Sequence, residues 1–184
     1  MPVSLARSCF IALMFALTTG ISAPAFAETK AQLDRSSTTA LKKLIAKVPV
    51  AKELNEKAVA VLVFPSIKKA GLVVGGQYGE GVLWRNGKPV AYYSTAGVSY
   101  GLQAGAQKFG YAMFFMHESA LDALNNADGW EVGVGPSIVV VDDGWAKSHT
   151  TQNASDDIYA FIFSQKGLMA GLGVQGNKVT KLNK

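Results

Sequence analysis

Ala70-Gly71-Leu72-Val73-Val74-Gly75-Gly76-Gln77-Tyr78-Gly79-Glu80-Gly81-Val82-Leu83-Trp84 is the stretch on which the reading of this chain turns. Taken with period two, its even positions carry Leu72, Val74, Tyr78, Val82 and Trp84. Its odd positions carry Gly71, Val73, Gly75, Gln77, Gly79 and Gly81, so one face is bulky and the other nearly bare. Glycine leaves nothing to pack, and a strand holds it for bends, bulges or close backbone approach. The device recurs at Gly97, Ser99, Gly101, Gln103, Gly105 and Gln107. It recurs again at Gly133, Gly135 and Ser137 beside Val132, Val134, Ile138 and Val140, and at Gly171 and Gly173 among Ala170, Leu172 and Val174. Such repetition predicts one tightly curved, barrel-like antiparallel sheet system.

Working outward, Val59 to Phe64 is a short, continuous, β-branched apolar run and reads as a buried strand. Pro65-Ser66 closes it, and Ile67-Lys68-Lys69 reads as a charged turn into the glycine-alternating stretch. Asn86-Gly87, between Val82-Leu83-Trp84 and Val90 to Tyr93, is a two-residue hairpin signal. Tyr111 to Met116 is apolar and aromatic, and Ser119 to Asn126 gives a short helix. Asp142-Asp143-Gly144 reads as a hairpin turn. Tyr159 to Phe163 is a strand turned by Gln165-Lys166-Gly167, Leu168 to Val174 returns, and Lys178 to Leu182 reads as a short edge strand.

Upstream, Glu28 to Lys47 is predicted to be a helix. Leu33, Ser37, Leu41, Leu44, Ile45 and Val48 lie on one face, with Lys42, Lys43 and Lys47 beside it. Pro49 ends it, and Val50 to Lys57 follows as a second short helical piece. The apolar stripe either packs on the sheet, or lays Leu41, Leu44 and Ile45 into a membrane with the lysines on phosphates. Both hold if the helix undocks. The fold expected is therefore α+β: a single domain with a curved glycine-rich antiparallel sheet, N-terminal amphipathic helices and one short central helix.

Residues 1–27 stand apart from that core. Arg7, the apolar run Cys9 to Leu17 and the small-x-small site Ala25-Phe26-Ala27 form a cleavable export signal, placing the mature start at Glu28. The expected address is periplasmic or secreted, peripheral to a membrane at most. Cys9, the only cysteine, leaves with that signal, so no disulfide, thiol nucleophile or thiolate metal site is expected. Residues 28–57 carry seven Lys or Arg against four Asp or Glu, a concentration of charge that points towards an anionic surface.

The chemical motifs fare less well. Gly97-Val98-Ser99-Tyr100-Gly101 matches a nucleophile elbow, with Asp142 or Asp143 and then His149 in hydrolase order. That motif needs a strand–turn–helix, and the flanks lack alternating strands and helices. Gly171 to Gly176 fits a dinucleotide fingerprint but opens no helix and precedes no acidic residue. His117 and His149 have no ligand-spaced neighbours, so no metal and no cofactor is expected. Nucleic acid is a poor partner, because no recognition motif occurs. Phospholipid headgroups suit the lysines better.

Phe64 to Gly71 and Gly75 to Gly81 resemble the opening signature of the SYLF domain family. Gly101 to Gln107 resembles its middle block, and Val134-Gly135-Pro136 and Ser164 to Gly171 its later ones, in order over Ala51 to Gly176. The resemblance implies binding of anionic phospholipids, phosphoinositides in eukaryotic members, partly through an N-terminal amphipathic helix. Some fungal members bind and bundle actin, a role from which an exported address removes this chain unless it reaches a host cell. The resemblance implies no catalytic residue. The residues matching its lipid-binding role are Leu41, Lys42, Lys43, Leu44, Ile45 and Lys47, with Lys68 and Lys69 after Phe64-Pro65-Ser66. The ending Val179 to Lys184 departs from the family's Asn and aromatic pair. These 184 residues also hold no SH3 or FYVE module, which leaves the protein partner unknown.

The expected function is that of an exported, non-enzymatic binder of anionic phospholipid at the cell envelope. One alternative is a structural or protein-interaction module presenting Trp84, Tyr92 and Tyr93. The other is a serine hydrolase using Ser99.

Overall fold

The computed structural model describes residues 28–71, 74–100, 105–125, 128–141, 155–167 and 176–184. The expected export signal at 1–27, Asp142 to Gly144, His149 and the return segment Leu168 to Val174 lie outside them.

Helix α1 spans Lys30–Lys47 and α2 spans Pro49–Lys57. A capping box starts α1: the Gln32 backbone N–H donates to Thr29 Oγ1 at 3.3 Å, and the Thr29 N–H donates to Gln32 Oε1 at 3.1 Å. Pro49 opens α2, where a missing N–H costs nothing. The strands are β1 (Ala60–Gly71), β2 (Val74–Arg85), β3 (Lys88–Tyr100), β4 (Gly105–Phe115), β5 (Trp130–Glu131), β6 (Ile138–Val140), β7 (Ile158–Gly167) and β8 (Lys178–Leu182). A short helix α3 (Glu118–Leu121) runs into a 3-10 turn at Asp122–Asn125. The eight strands form one sheet in the order β5-β8-β3-β2-β1-β4-β7-β6, antiparallel except for β6 beside β7, curled into a half-barrel. The expected α+β class and curved antiparallel sheet are what the chain adopts.

Both faces of the sheet are covered, which is why β1 and β4 begin or end as continuous apolar runs. On one face, Leu62, Phe64, Ile67, Tyr93, Phe109, Tyr111, Met113 and Phe115 are lidded by Ala120, Leu121 and Leu124. On the other, α1 crosses the sheet. Leu33 sits on Val82 and Tyr92, while Leu44, Ala51 and Leu54 sit on Val61, Val63, Phe114 and Phe161. Two polar contacts set the crossing: Trp84 Nε1 donates to Ser37 Oγ at 3.2 Å and Tyr92 Oη donates to Asp34 Oδ1 at 3.0 Å.

The bare face of the glycine stretch accommodates its neighbours. A Cβ at Gly81 would stand 2.6 Å from Phe64 Cδ1 and 2.7 Å from the Val63 carbonyl oxygen. A Cβ at Gly79 would stand 2.8 Å from Ile67 Cγ1. Large side chains of β1 thus lie over glycines of β2, which lets the sheet bend inward.

Several local expectations are corrected. The opening stretch is not one strand: β1 ends at Gly71 and β2 begins at Val74, with Gly71 opposite Gly75. Pro65-Ser66 does not close β1. The register shifts between Val63 and Ser66, and a bulge is where a proline without an N–H can sit in a paired strand. Lys68 and Lys69 are consequently strand residues, not a turn. Gln165-Lys166 likewise belongs to β7, which kinks at Ser164 with φ 55° and continues. Gly133 and Gly135 have φ of 100° and 90° and build turns, so their alternation there is no strand. β8 is flanked by the two-residue β5 and is not the edge. Asn86-Gly87, with φ of 49° and 72°, is the hairpin turn expected.

At the foot of β7, Asp157 accepts from the Ser137 N–H and Oγ, both at 2.9 Å, which holds its carboxyl below the usual range. Tyr111 is different. Its hydroxyl is buried with no hydrogen-bond partner among the described residues, and burial pushes its pKa up. Tyr111→Phe removes that desolvated oxygen while keeping the ring, stacked 6.3 Å from Phe64. The variant is expected to be at least as stable as the parent, by up to about 1–3 kcal/mol in urea unfolding, because an orphaned buried hydroxyl carries a cost of that size.

Candidate functional site

The bulge in β1 decides which lysines meet. Before it, Val61 and Val63 face the helices; after it, Ser66, Lys68 and Ala70 do, because Ile67 joins the opposite core. Lys68 is opposite Tyr78 of β2 and Lys108 of β4, and Lys108 is opposite Lys166 of β7. Tyr78 continues the line to Ala96, and Ala96 to Lys178 of β8. All six residues are exposed. The row Lys178–Ala96–Tyr78–Lys68–Lys108–Lys166 runs across six strands on the helix-bearing face, beyond the part that the helices cover.

Directly opposed residues on neighbouring strands have Cβ atoms about 4.5–5.5 Å apart, and like charges so placed repel. Lys68, Lys108 and Lys166 are three in succession. No ion pair among the described residues joins any of them to a carboxylate. Glu80, on the same face, is engaged otherwise: it pairs with Lys184 Nζ at 2.5 Å and accepts from Tyr78 Oη at 3.2 Å. Lys184 Nζ also donates to the Glu28 carbonyl at 2.8 Å, tying the segment after β8 to the residues just before α1.

Between this row and α1 runs a groove of about 810 Å³. Arg35 and Lys43 line it from α1, Lys108 and Lys166 from the sheet, and Thr39 and Ser164 add hydroxyls. Glu28 is the one carboxylate among the described residues of its wall, and its Oε2 accepts from Ser36 Oγ at 3.4 Å. Four cations against one hydrogen-bonded carboxylate make the groove an electropositive trough.

The residues singled out from the sequence are distributed as follows. Lys43 lines the groove and Lys68 stands in the row. Leu44 is 3% exposed, and Leu41 and Ile45 pack half-buried against the same cluster, so the apolar stripe is turned to the sheet. Lys42 and Lys47 are exposed on α1 away from the groove lining. Lys69 points to the opposite face, is only 5% exposed, lies opposite Gln77 and Gln107, and is engaged within the protein. Lys108 and Lys166 had no signal in the sequence, because only register brings them to Lys68, and Arg35 reaches the groove only through the placement of α1 over the sheet.

The aromatic surface expected of an interaction module is not there. Tyr92 and Tyr93 are buried, and half-buried Trp84 packs beneath α1. Ser99 lies within β3 opposite Gly75, and the next described element is β4. Among the described residues no three His, Cys, Asp or Glu gather as metal ligands, and no helix is long and apolar enough to cross a membrane.

Fold and face together define an α+β half-barrel with helices over part of one sheet face and a cationic row on the rest. Residues 96–184 match the Ysc84 family, described as Las17-binding protein actin regulator. The matched span takes in the middle and later motif blocks of the SYLF resemblance and does not extend to the signature at 64–81. No curated protein matches the chain.

Proposed function

We propose that this protein binds anionic phospholipid reversibly and without catalysis, at the cell envelope, through the lysine row and the adjoining groove. The observation that supports it is the run Lys68–Lys108–Lys166, three like charges on adjacent strands with no carboxylate partner among the described residues. A plane of phosphates laid across them converts mutual repulsion into attraction, and each basic residue close to an anionic surface contributes about 1 kcal/mol. The envelope address rests on the export signal read in 1–27.

Magnitudes favour the lysines over the helix stripe. Inserting α1 would first expose Leu33 and Leu44, each worth roughly 1.5–3 kcal/mol when buried, a large share of a domain's whole stability of about 5–15 kcal/mol. The row needs no rearrangement. A second reading, protein interaction, takes its support from the family description, which concerns a Las17-binding actin regulator.

Co-flotation tests the reading. The protein is expected to float with phosphatidylglycerol or cardiolipin vesicles at low salt, to be released at high salt, and to ignore phosphatidylcholine. Equal flotation with both vesicle types would replace headgroup electrostatics by apolar insertion. Absence from all of them would overturn phospholipid binding and leave the interaction module.

A further inference from the structure

The same sheet face continues past the lysines. Two residues further along the strands, the next row is Val98–Gly76–Ala70–Ala106, on β3, β2, β1 and β4, and Val74 lies one step beyond on β2. It contains no charged side chain. Val98 is 68% exposed, Val74 55% and Tyr78 52%, and Gly76, Ala70 and Ala106 are exposed as well. Such exposed apolar residues towards the end of the sheet, beside a row of lysines, form a two-zone surface.

The spacing fits a bilayer boundary. Two strand residues advance about 6.6 Å, and apolar faces of interfacial elements sink about 5–10 Å below the headgroups. Lysines at the phosphate plane therefore place Val98 among the upper acyl carbons and Val74, one row further at about 13 Å along an upright strand, just beyond them. Tyr78, in the lysine row, sits where amphipathic rings collect at membrane interfaces. A second copy of this chain is a poor occupant, since face-to-face pairing would bring two lysine rows together.

Resting on the phospholipid reading, we infer that the protein docks tip-first: the end of the β1–β4 sheet enters one leaflet as an apolar wedge, stopped at the lysine row, while α1 stays on the sheet. Valines without a long stem make the wedge shallow, and its release needs no unfolding.

Attachment of an environment-sensitive fluorophore at Val98→Cys, in a Cys9→Ser background, tests the geometry on phosphatidylglycerol vesicles. Blue-shifted emission and quenching by lipids brominated near the headgroup end of the acyl chain are expected. The same label at Val90→Cys, exposed near the Asn86-Gly87 hairpin at the other end of β3, is expected to report water throughout. Val74→Asp/Val98→Asp is expected to lower partitioning by about tenfold or more, since both valines lose their apolar contact. Full flotation with no shift at Val98 would overturn the wedge and leave phospholipid binding standing. Failure of the unlabelled parent to float would overturn both. Quenching at Val90 instead would show the opposite end inserted and overturn the wedge.

Discussion

Replacing Lys68, Lys108 and Lys166 together by glutamine is expected to cut partitioning onto phosphatidylglycerol vesicles by about two orders of magnitude, from roughly 1 kcal/mol for each basic residue. The same triple variant is expected to melt no lower than the parent. The three side chains are exposed and mutually opposed, so neutralising them removes repulsion worth roughly 0.2–1 kcal/mol for each adjacent pair and leaves the core untouched. A lost ligand site with unchanged or raised stability is the signature of residues held for binding. A fall in melting temperature would instead assign the lysines a structural role. The comparison variant is Lys42→Gln/Lys47→Gln, which removes helix charge outside the groove. It is expected to lose less affinity than any two lysines of the row. Equal loss would move docking to the outer face of α1.

Gly81→Val is expected to destabilise the fold by roughly 3 kcal/mol or more, at the upper end of overpacking costs. For a chain of this size that lowers the melting temperature by about 6–12 °C. The added Cβ meets the Phe64 ring at 2.6 Å and the Val63 carbonyl at 2.7 Å, and Phe64 is itself fully buried against Tyr111. The ring has nowhere to swing, and the carbonyl belongs to the β1 backbone. Gly76→Ala is the control from the same stretch. A Cβ there meets nothing within 4 Å, so its melting temperature is expected to stay within a few degrees of the parent. A similar loss in both variants would mean that glycine matters here for backbone freedom. Loss in Gly81 alone would show that it matters for close approach to β1.

These contrasts mark how far the sequence could be read. Two glycines of one alternating run look alike in the chain and differ completely in the fold, because Gly81 lies over Phe64 and Gly76 lies at the open end. The helices at 30–47 and 49–57, the Asn86-Gly87 hairpin, the buried runs of β1 and β7 and the curved antiparallel class were legible from local physics: side-chain periodicity, proline, turn chemistry and β-branching. Lys43 and Lys68 were legible as members of two separate basic clusters, Lys42-Lys43 with Lys47 and Lys68-Lys69.

What the amino-acid sequence determined by itself was the two N-terminal helices, the buried runs of β1 and β7 and the Asn86-Gly87 hairpin, since those depend on neighbours a few residues away. The tertiary structure alone decided which lysines form the site. A one-residue bulge beside Pro65 sends Lys68 to the helix-bearing face and Lys69 into the opposite core. Antiparallel register then aligns Lys68, Lys108 and Lys166 from three strands distant in the chain. β1, β4 and β7 are neighbours in the sheet but not consecutive in the chain, so no hairpin turn fixes their mutual register, and it is set instead by matching their apolar faces across the sheet.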